Sequence, residues 1–205
     1  MEIFKQDDYK EMMLKYGFAK KRLETEIEIL IESFEARAGY NPVEHVKSRI
    51  KSFDRVVEKL RKKNLDVTVD NIYRYVYDLV GIRIVCCFMR DVYEIASVIR
   101  STDEFIIKKE IDYIQEAKAS GYMSYHMHIL VPIHLDNITE YIEAEIQIRT
   151  IAMDCWASLD HKLRYKMPDV MPEYLKKELF ECAKNMKMID MKMQKISDII
   201  NGIEG

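Results

Sequence analysis

The segment from Ile142 to Arg149 alternates strictly between apolar and polar residues, and this pattern constrains the fold more than any other feature of the chain. Successive side chains of a β-strand point to opposite faces of a sheet, so the alternation predicts a strand with one buried face. The buried face would carry Ile142, Ala144, Ile146 and Ile148, and the other face Glu143, Glu145, Gln147 and Arg149. A solvent-facing strand of an antiparallel sheet gives the same alternation, so any function depends on neighbouring segments.

A second alternating segment runs from Ser124 to Val131 and predicts another strand. Its polar face carries Ser124, His126 and His128. Just before it, Gly121 permits a tight turn that would present Tyr122 at the strand end, where an aromatic ring can stack on a nucleobase. Lys118 lies where it could meet a phosphate. A hairpin with a packed tyrosine explains the same residues without a ligand.

A third segment, from Asp78 to Arg83, puts a carboxylate at a helix end and an arginine at a strand start, with Gly81 between them. Mg²⁺ in proteins prefers one or two carboxylates together with phosphate oxygens. Asp78 and Glu145 are therefore candidates to hold a nucleotide-bound Mg²⁺. A structural ion pair between Asp78 and Arg83 is the plain alternative.

Positive charges gather between residues 43 and 63, where the apolar spacing predicts a helix. That helix would place Lys51, Arg55 and Lys59 along one face, because residues four apart are neighbours on a helix surface. Such a cluster suits a triphosphate, although a solvated helix face is the usual meaning of a basic run. The whole chain carries a net charge of −3, so any basic function must be local to this patch.

A helix is also predicted from Thr150 to Lys162. One of its faces would carry Asp154, Ser158 and His161, and its packed side Trp156, Leu159 and Leu163. Asp154 could accept hydrogen bonds from the N1 and N2 donors of guanine, or it could be a solvated carboxylate.

The other segments predict helices at both ends of the chain and a β-rich middle. Helices are expected at Tyr9–Phe34, from a cap at Asp70, at Asp91–Arg100 and from Glu173 to about Asn201, and further strands at Ile82–Phe88 and Phe105–Ile107. We therefore expect an α+β fold with a mixed, roughly five-stranded sheet flanked by helices. Its parts would be an N-terminal helical segment at 1–41, a core at 42–166 and a C-terminal helical segment at 167–205, all in one compact unit.

The cysteines and the hydropathy indicate a cytoplasmic protein. The four cysteines contain no C-x-x-C pair, which favours a reducing compartment. The N-terminal residues lack an apolar signal segment, and no stretch approaches the roughly 18 apolar residues of a membrane span.

Taken together, four segments in this order resemble the synthetase domain of the RelA/SpoT family, over roughly Pro42 to Lys166. They are Asp78-x-x-Gly81-x-Arg83, Gly121-Tyr122-x-Ser124-x-His126, Glu145-x-Gln147-x-Arg149-Thr150, and Trp156-Ala157 with His161. The short chain with flanking helices is similar to the small alarmone synthetases of that family. The resemblance implies a nucleotidyltransferase-like fold and synthesis without a hydrolase activity.

The resemblance also implies a reaction. The ribose 3′-hydroxyl of GDP or GTP, with GMP as a further acceptor, would attack the β-phosphorus of ATP, which gives ppGpp or pppGpp and AMP. By the same resemblance, Asp78 would bind Mg²⁺, and Glu145 would assist the metal and orient or deprotonate the hydroxyl. The residues implied for ATP are Arg49, Lys51, Arg55, Lys59 and Arg83, and those for the guanine nucleotide are Lys118, Tyr122, His126, Gln147 and Asp154.

The resemblance further implies a homotetramer with a pppGpp-binding cleft near its centre. The chain departs from the family pattern there, since His45 and Lys47 stand where Phe and Thr are expected. The first helix is also rich in glutamate. We therefore expect that regulatory site to be absent. A second departure is Asp154, which replaces a frequent Asn and could alter the preference among GMP, GDP and GTP.

Two alternatives remain open from the sequence. The same fold could transfer diphosphate to adenine nucleotides or to the 3′ end of tRNA, because the ATP half of the site would be the same. A non-catalytic regulator could instead use the basic segment to bind single-stranded RNA, although carboxylates such as Asp78 and Glu145 would repel it.

Overall fold

The computed structural model describes residues 6–135, 137–167 and 171–203. Six helices and five strands follow one another along these residues. The order is α1 (Gln6–Ala38), β1 (Val43–Ile50), α2 (Phe53–Lys62), α3 (Val69–Tyr75), β2 (Val80–Cys86), α4 (Met89–Arg100), β3 (Ile106–Asp112), β4 (Tyr125–Leu135), β5 (Ile138–Thr150), α5 (Ile151–Lys166) and α6 (Glu173–Ile203).

The strands form one five-stranded sheet in the order β1-β2-β5-β4-β3. Strands β2 and β5 are parallel, and the other neighbouring pairs are antiparallel. The parallel pair needs a long connection, which α4 and the β3–β4 hairpin supply. The predicted α+β fold with a mixed sheet is therefore confirmed.

The apolar face of the sheet lies against α1 and α4, which also contact each other. Helix α1 buries one stripe of residues at three- and four-residue spacing, as its sequence predicts: Met12, Tyr16, Ala19, Leu23 and Ile27. Strand β5 buries Ile142, Ala144, Ile146 and Ile148, which confirms its predicted inner face. The opposite face of the sheet is left free to carry polar side chains.

The helix predicted over residues 43–63 is wrong for its first half. Residues Val43–Ile50 form β1, which pairs antiparallel with β2, and only Phe53–Lys62 are helical. The apolar residues of β1 do recur at helical spacing, but pairing with a buried strand decides the conformation, because local propensity is weaker than tertiary context. Lys51 consequently lies between β1 and α2 and not on a helix face.

Two smaller expectations are also corrected. Helix α3 is capped by Thr68, whose side chain accepts a hydrogen bond from the backbone N–H of Asn71, and Asp70 lies inside the helix. On α5, Trp156 is buried and its indole donates to the carbonyl of Leu179 at 2.9 Å. Leu159 and Leu163, predicted on the packed side, are about half exposed.

Within residues 6–135, 137–167 and 171–203, no helix has the length and apolar character needed to cross a membrane.

Candidate active site

Strand register brings the polar residues of four strands into two rows on one face of the sheet. One row crosses the strands through Arg49, Gly81, Glu145 and His128. The next row crosses through Lys47, Arg83, Gln147 and His126. Because side chains on one face of neighbouring strands are directly opposed, this register alone makes the polar side chains neighbours.

Asp78 lies between α3 and β2 at the end of this face, with most of its side chain buried. Its Oδ1 accepts a hydrogen bond from Lys59 Nζ at 2.7 Å, and its Oδ2 accepts one from Lys51 Nζ. Burial disfavours the charged carboxylate, but these two ammonium groups outweigh it and lower the pKa of Asp78 to about 2. The carboxylate of Asp78 is therefore ionised at neutral pH and forms ion pairs with two lysines.

Glu145 is held differently, by hydrogen bonds from a histidine and an amide. His126 Nδ1 lies 2.9 Å from Oε1, and Gln147 Nε2 donates to Oε2 at 2.6 Å. Burial alone would raise the pKa of Glu145. The two hydrogen bonds and the charge interaction with His126 outweigh burial, so the pKa of Glu145 lies below its ordinary value. His128 Nε2 lies 4.0 Å from the same Oε1, and burial lowers the pKa of His128.

Both carboxylates line one cavity of about 240 Å³, together with Arg49 and Arg83. The charge of Asp78 raises the pKa of Glu145, so the two groups lie within electrostatic range of each other. Among the described residues, no group of three or more histidine, cysteine or acidic side chains could hold a metal ion unaided. Two carboxylates beside a phosphate-sized cleft still fit Mg²⁺, which takes most of its ligands from water and substrate phosphates.

A cationic cleft of about 540 Å³ lies beside this cavity, and Arg49 borders both. Its lining includes Lys51, Arg55, Lys59 and Lys62 from the β1–α2 region and His161 from α5. One acidic group, Glu58, also lines the cleft and pairs with Arg55 and Lys62. The excess of positive charge suits a polyphosphate.

Tyr122 and Lys118 lie together in the segment between β3 and β4. Gly121 has a φ of +90°, a conformation that favours glycine, and it turns the chain so that Tyr122 approaches the polar face. The ammonium of Lys118 lies 4.4 Å from the ring centroid of Tyr113 and 4.9 Å from that of Tyr122. Tyr122 OH is 2.8 Å from His126 Nε2, so this aromatic group connects to Glu145 through His126.

Asp154 reaches the same face from the first turn of α5. Its Oδ1 lies 3.0 Å from Arg83 and 3.3 Å from Arg149. Arg149 is the residue that sequence reasoning missed: the alternation of β5 places it on the polar face but indicates no role. Its side chain is only 3% exposed, and burial lowers its pKa. Two signals were available: Arg149 belongs to one of the four motif segments, and it precedes the helix cap Thr150 at a strand–helix junction.

Two clefts flank the site. Lys108, Lys109 and His128 border one of about 340 Å³, on the β3 side of Glu145. The other, about 460 Å³, lies between α1 and β1 and is lined by Glu24, Glu28, Glu32, Glu35, Glu44 and His45. This acidic lining would repel a polyphosphate, and the absence of a regulatory pppGpp site stays a prediction.

The fold and the site together define a class of protein: an α+β domain with two neighbouring carboxylates and a cationic cleft on the polar face of a mixed sheet, as a nucleotide-transfer domain requires. The chain belongs to the RelA/SpoT family. A family model described as a region found in RelA and SpoT proteins matches residues 48–169.

Known relatives match nearly the whole chain. It is 42% identical over 187 residues to the GTP pyrophosphokinase YwaC of Bacillus subtilis, covering 91% of this chain and 89% of the relative. The crystal structure of small alarmone synthetase 2 from B. subtilis superposes with a TM-score of 0.84 at 41% identity, covering 93% of this chain and 98% of that one. Small alarmone synthetase 1 from B. subtilis, bound to its product pppGpp, gives a TM-score of 0.88 at 28% identity, covering 96% and 100%.

Proposed function

We propose that this member of the RelA/SpoT family is a GTP pyrophosphokinase, a small alarmone synthetase that makes ppGpp and pppGpp. The 3′-hydroxyl oxygen of GDP or GTP forms a bond to the β-phosphorus of ATP, the bond between the β-phosphorus and the α,β-bridging oxygen breaks, and AMP leaves. The observation that carries the proposal is the convergence of Asp78 and Glu145 on one cavity beside a cationic cleft. Its relation to a GTP pyrophosphokinase over 91% of its length supports it.

Asp78 and Glu145 are the residues proposed to hold Mg²⁺. When bound, the ion neutralises phosphate charge and orients the diphosphate for in-line attack. Asp78 is suited to this role because its pKa of about 2 keeps the carboxylate ionised at neutral pH. Its carboxylate oxygens are now occupied by Lys51 and Lys59. We propose that these lysines turn to the phosphates when ATP binds, which would leave the carboxylate of Asp78 free to hold Mg²⁺.

The ATP side is proposed to extend from the carboxylates into the cationic cleft. Lys51, Arg55 and Lys59 face the phosphates, since they line the cleft next to Asp78. Arg49 and Arg83 contact the adenine, because a guanidinium plane stacks on an aromatic base. Both arginines line the smaller cavity on neighbouring strands, which supports this assignment.

The guanine nucleotide is proposed to lie on the β4 side, where Tyr122 stacks on the base and Lys118 neutralises a phosphate. His126 and Gln147 hold Glu145 at the attacking hydroxyl. Asp154 accepts from the base edge with Oδ2, because Oδ1 is taken by the two arginines. We expect the acidic Asp154 to prefer guanine over adenine, since only guanine presents the N1 and N2 donors together.

Glu145 is proposed to orient the 3′-hydroxyl more than to deprotonate it. Its lowered pKa makes it a weak base near neutral pH. Phosphoryl-type transfer has a loose transition state and relies mainly on positioning and charge neutralisation, so a strong base is not required.

An acceptor screen tests the proposal. Purified protein with Mg²⁺ and ATP labelled at the β-phosphate is offered GMP, GDP, GTP, ATP or tRNA separately, and products are separated by thin-layer chromatography. We expect label on GDP and GTP, with AMP released. Label only on ATP or tRNA would instead establish a toxin-type acceptor, and no transfer to any acceptor would refute the enzymatic proposal.

We also propose that the protein is a cytoplasmic homotetramer. One side of α6 exposes a set of apolar side chains, a larger set than one soluble helix usually leaves uncovered: Met188, Ile189, Met191, Met193, Ile196, Ile199 and Ile200. Light scattering should give four times the 24.4 kDa of one chain, and the mass of one chain would refute the assembly.

A further inference from the structure

Helix α6 contacts both segments that are proposed to bind the guanine nucleotide, and the face that makes these contacts is largely polar. The least exposed residues in this part of the helix recur at spacings of four, three and four, so they share one face: Ala183, Lys187, Asp190 and Gln194. The inward face of a helix usually carries apolar residues, whereas several large apolar residues of α6 are exposed. Specific contacts, more than apolar burial, therefore attach α6 to the domain.

The first contact is with the turn that presents Tyr122. A Cβ at Gly121 would lie 2.5 Å from the Cβ of Ala183, so the backbone of this turn lies directly against α6. One helical turn further on, Lys187 Nζ donates to the carbonyl of Ile114 at 3.4 Å, in the same segment between β3 and β4. The position of Tyr122 therefore depends on α6 through the backbone beside it.

The second contact is with the start of α5. Thr150 Oγ1 donates to Asp190 Oδ2 at 2.6 Å, and both side chains are buried. The same hydroxyl oxygen accepts from the backbone N–H of Met153 and so caps α5. Burying a carboxylate costs free energy unless it is hydrogen-bonded, so the bond from Thr150 is what allows Asp190 to occupy this position. Asp190 thereby ties α6 to the helical turn that carries Asp154.

These two contacts are seven residues apart on one helix. A rise of 1.5 Å per residue separates Ala183 from Asp190 by about 10.5 Å along the helix axis. Helix α6 is therefore a common support for the turn before Tyr122 and for the first turn of α5. Arg149 also links Tyr122 to Asp154, through contacts of 2.9 and 3.3 Å, but it joins the ends of side chains and not the two backbone segments.

We infer that Ala183 and Asp190 are positioning residues for the acceptor nucleotide. Through them, α6 fixes the distance between Tyr122 and Asp154, so that one guanine base can stack on the ring while its N1 and N2 donors meet the carboxylate. The inference rests on the proposed function, which assigns guanine to these two groups. The contacts of α6 lie outside the lining of the cationic cleft and of the cavity between the two carboxylates, so their loss should affect the acceptor and spare ATP.

A purely structural role for α6 is the competing explanation. The helix is also attached to α4, where Gln194 Oε1 accepts from the backbone N–H of Arg90 at 2.9 Å. If α6 only stabilises the domain, weakening either attachment lowers stability and leaves acceptor binding unchanged. If α6 positions the acceptor residues, the attachment at Asp190 affects acceptor binding and the attachment at Gln194 does not.

Steady-state kinetics of Asp190→Ala separates the two explanations. This change removes the group that accepts from the Thr150 hydroxyl. We expect the KM for GDP to rise about tenfold, because a misplacement of about 1 Å is costly for a positioned substrate. The KM for ATP should remain within about twofold of the wild type. A wild-type KM for GDP in Asp190→Ala would overturn the inference.

Asp190→Asn is the conservative variant. Its amide oxygen can accept the same hydrogen bond from Thr150, so the KM for GDP should stay within about twofold of the wild type. A rise as large as that in Asp190→Ala would contradict a role that depends on this bond.

Gln194→Ala is the matched control on the same helix. It removes the hydrogen bond to α4 and leaves the contacts with Gly121 and Thr150 in place. We expect a lower free energy of unfolding and unchanged KM values for GDP and ATP. A rise in the KM for GDP equal to that in Asp190→Ala would mean that α6 acts only through stability, which would overturn the inference.

If Asp190→Ala fails to fold, Ala183→Val decides. The added methyl groups press on the backbone of Gly121, which is already in close contact, and should shift the turn before Tyr122. We expect the same selective rise in the KM for GDP. An unchanged KM for GDP in the folded variant would overturn the inference.

Hydrogen exchange followed by mass spectrometry tests the support without any substrate. We expect faster exchange at residues 150–156 in Asp190→Ala and at residues 115–123 in Ala183→Val, with no change in α2 on the ATP side. Wild-type exchange at both segments would overturn the inference. If the wild-type protein forms no product with any acceptor, the proposed function fails, and the exchange result still decides whether α6 holds these segments.

Discussion

At the scale of single residues, the two carboxylates of the site are stabilised by opposite means. Asp78 is neutralised by two lysines, whereas Glu145 accepts hydrogen bonds from the uncharged amide of Gln147 and from His126. A charge that is already neutralised gains little from a cation unless its partners move. A charge held by dipoles remains available to attract one. Asp78 should therefore respond to nucleotide binding, and Glu145 should already be in place.

Removal of either carboxylate charge should abolish turnover without unfolding the domain. In Glu145→Gln and Asp78→Asn we expect kcat to fall at least about 100-fold, because each substitution removes charge at the metal without changing volume much. Product formation and circular dichroism are measured together. Glu140→Gln, on the same strand but paired with Lys15 at 2.9 Å, is the control and should keep full activity. Activity retained in Asp78→Asn or Glu145→Gln would remove the role of that residue.

Asp78 should also leave a signature in acid stability. Its pKa is about 2 in the folded protein and near 3.8 in the unfolded chain, so its stabilisation is present above pH 4 and is lost as the pH falls towards 2. The difference corresponds to about 2 kcal/mol in the free energy of unfolding. The free energy of unfolding can be measured with urea at a series of pH values. Between pH 5 and pH 2 it should fall by about 2 kcal/mol more in the wild type than in Asp78→Asn. If the free energy of unfolding depends on pH in the same way in both proteins, Asp78 is not stabilised by Lys51 and Lys59.

At the scale of elements, the sequence was most informative where one face of a strand is buried. The alternation in β5 predicts both its conformation and its two faces, because a shift of one residue would bury Glu145 and expose Ile146. The same reasoning failed for strand β1, which was predicted as a helix. This strand lies at the edge of the sheet, where backbone groups pair on one side only, and its buried and exposed side chains do not alternate regularly. Its conformation depends on pairing with β2, which no local pattern reveals.

The turn before β4 is the element whose geometry most directly positions Tyr122. Gly121 combines a φ of +90° with a close approach to α6, since a Cβ at this position would lie 2.5 Å from the Cβ of Ala183. Gly121→Ala should therefore lower the free energy of unfolding by more than about 1 kcal/mol and raise the acceptor KM by displacing Tyr122.

Thermal unfolding and steady-state kinetics measure this effect. Gly17→Ala is the matched control, because Gly17 lies inside α1 with nothing within 4 Å of the added methyl group. That change should stabilise the protein by about 1 kcal/mol and leave the KM unchanged. Equal stability changes for the two substitutions would contradict the strained turn.

At the scale of the whole molecule, the sequence predicted which residues share the polar face but not how they bind one another. The motifs predicted Asp78, Tyr122 and Glu145 as site residues, and the fold places all three around one site. The partners of these groups come from distant segments, such as Lys51 and Lys59 for Asp78, and only the packed chain brings them into contact. Arg149 stands in a motif segment but was assigned no role for the same reason, because its contacts with Gln147, Tyr122 and Asp154 form only in the folded chain.

The account depends on Asp78 and Glu145 acting on one cation together with the phosphates of ATP. Electron paramagnetic resonance of Mn²⁺, used in place of Mg²⁺, tests this directly in the presence of a non-hydrolysable ATP analogue. We expect one tightly bound Mn²⁺ per chain in the wild type, and at least about tenfold weaker binding in both Asp78→Asn and Glu145→Gln. Undiminished Mn²⁺ affinity in both variants would contradict a shared metal site.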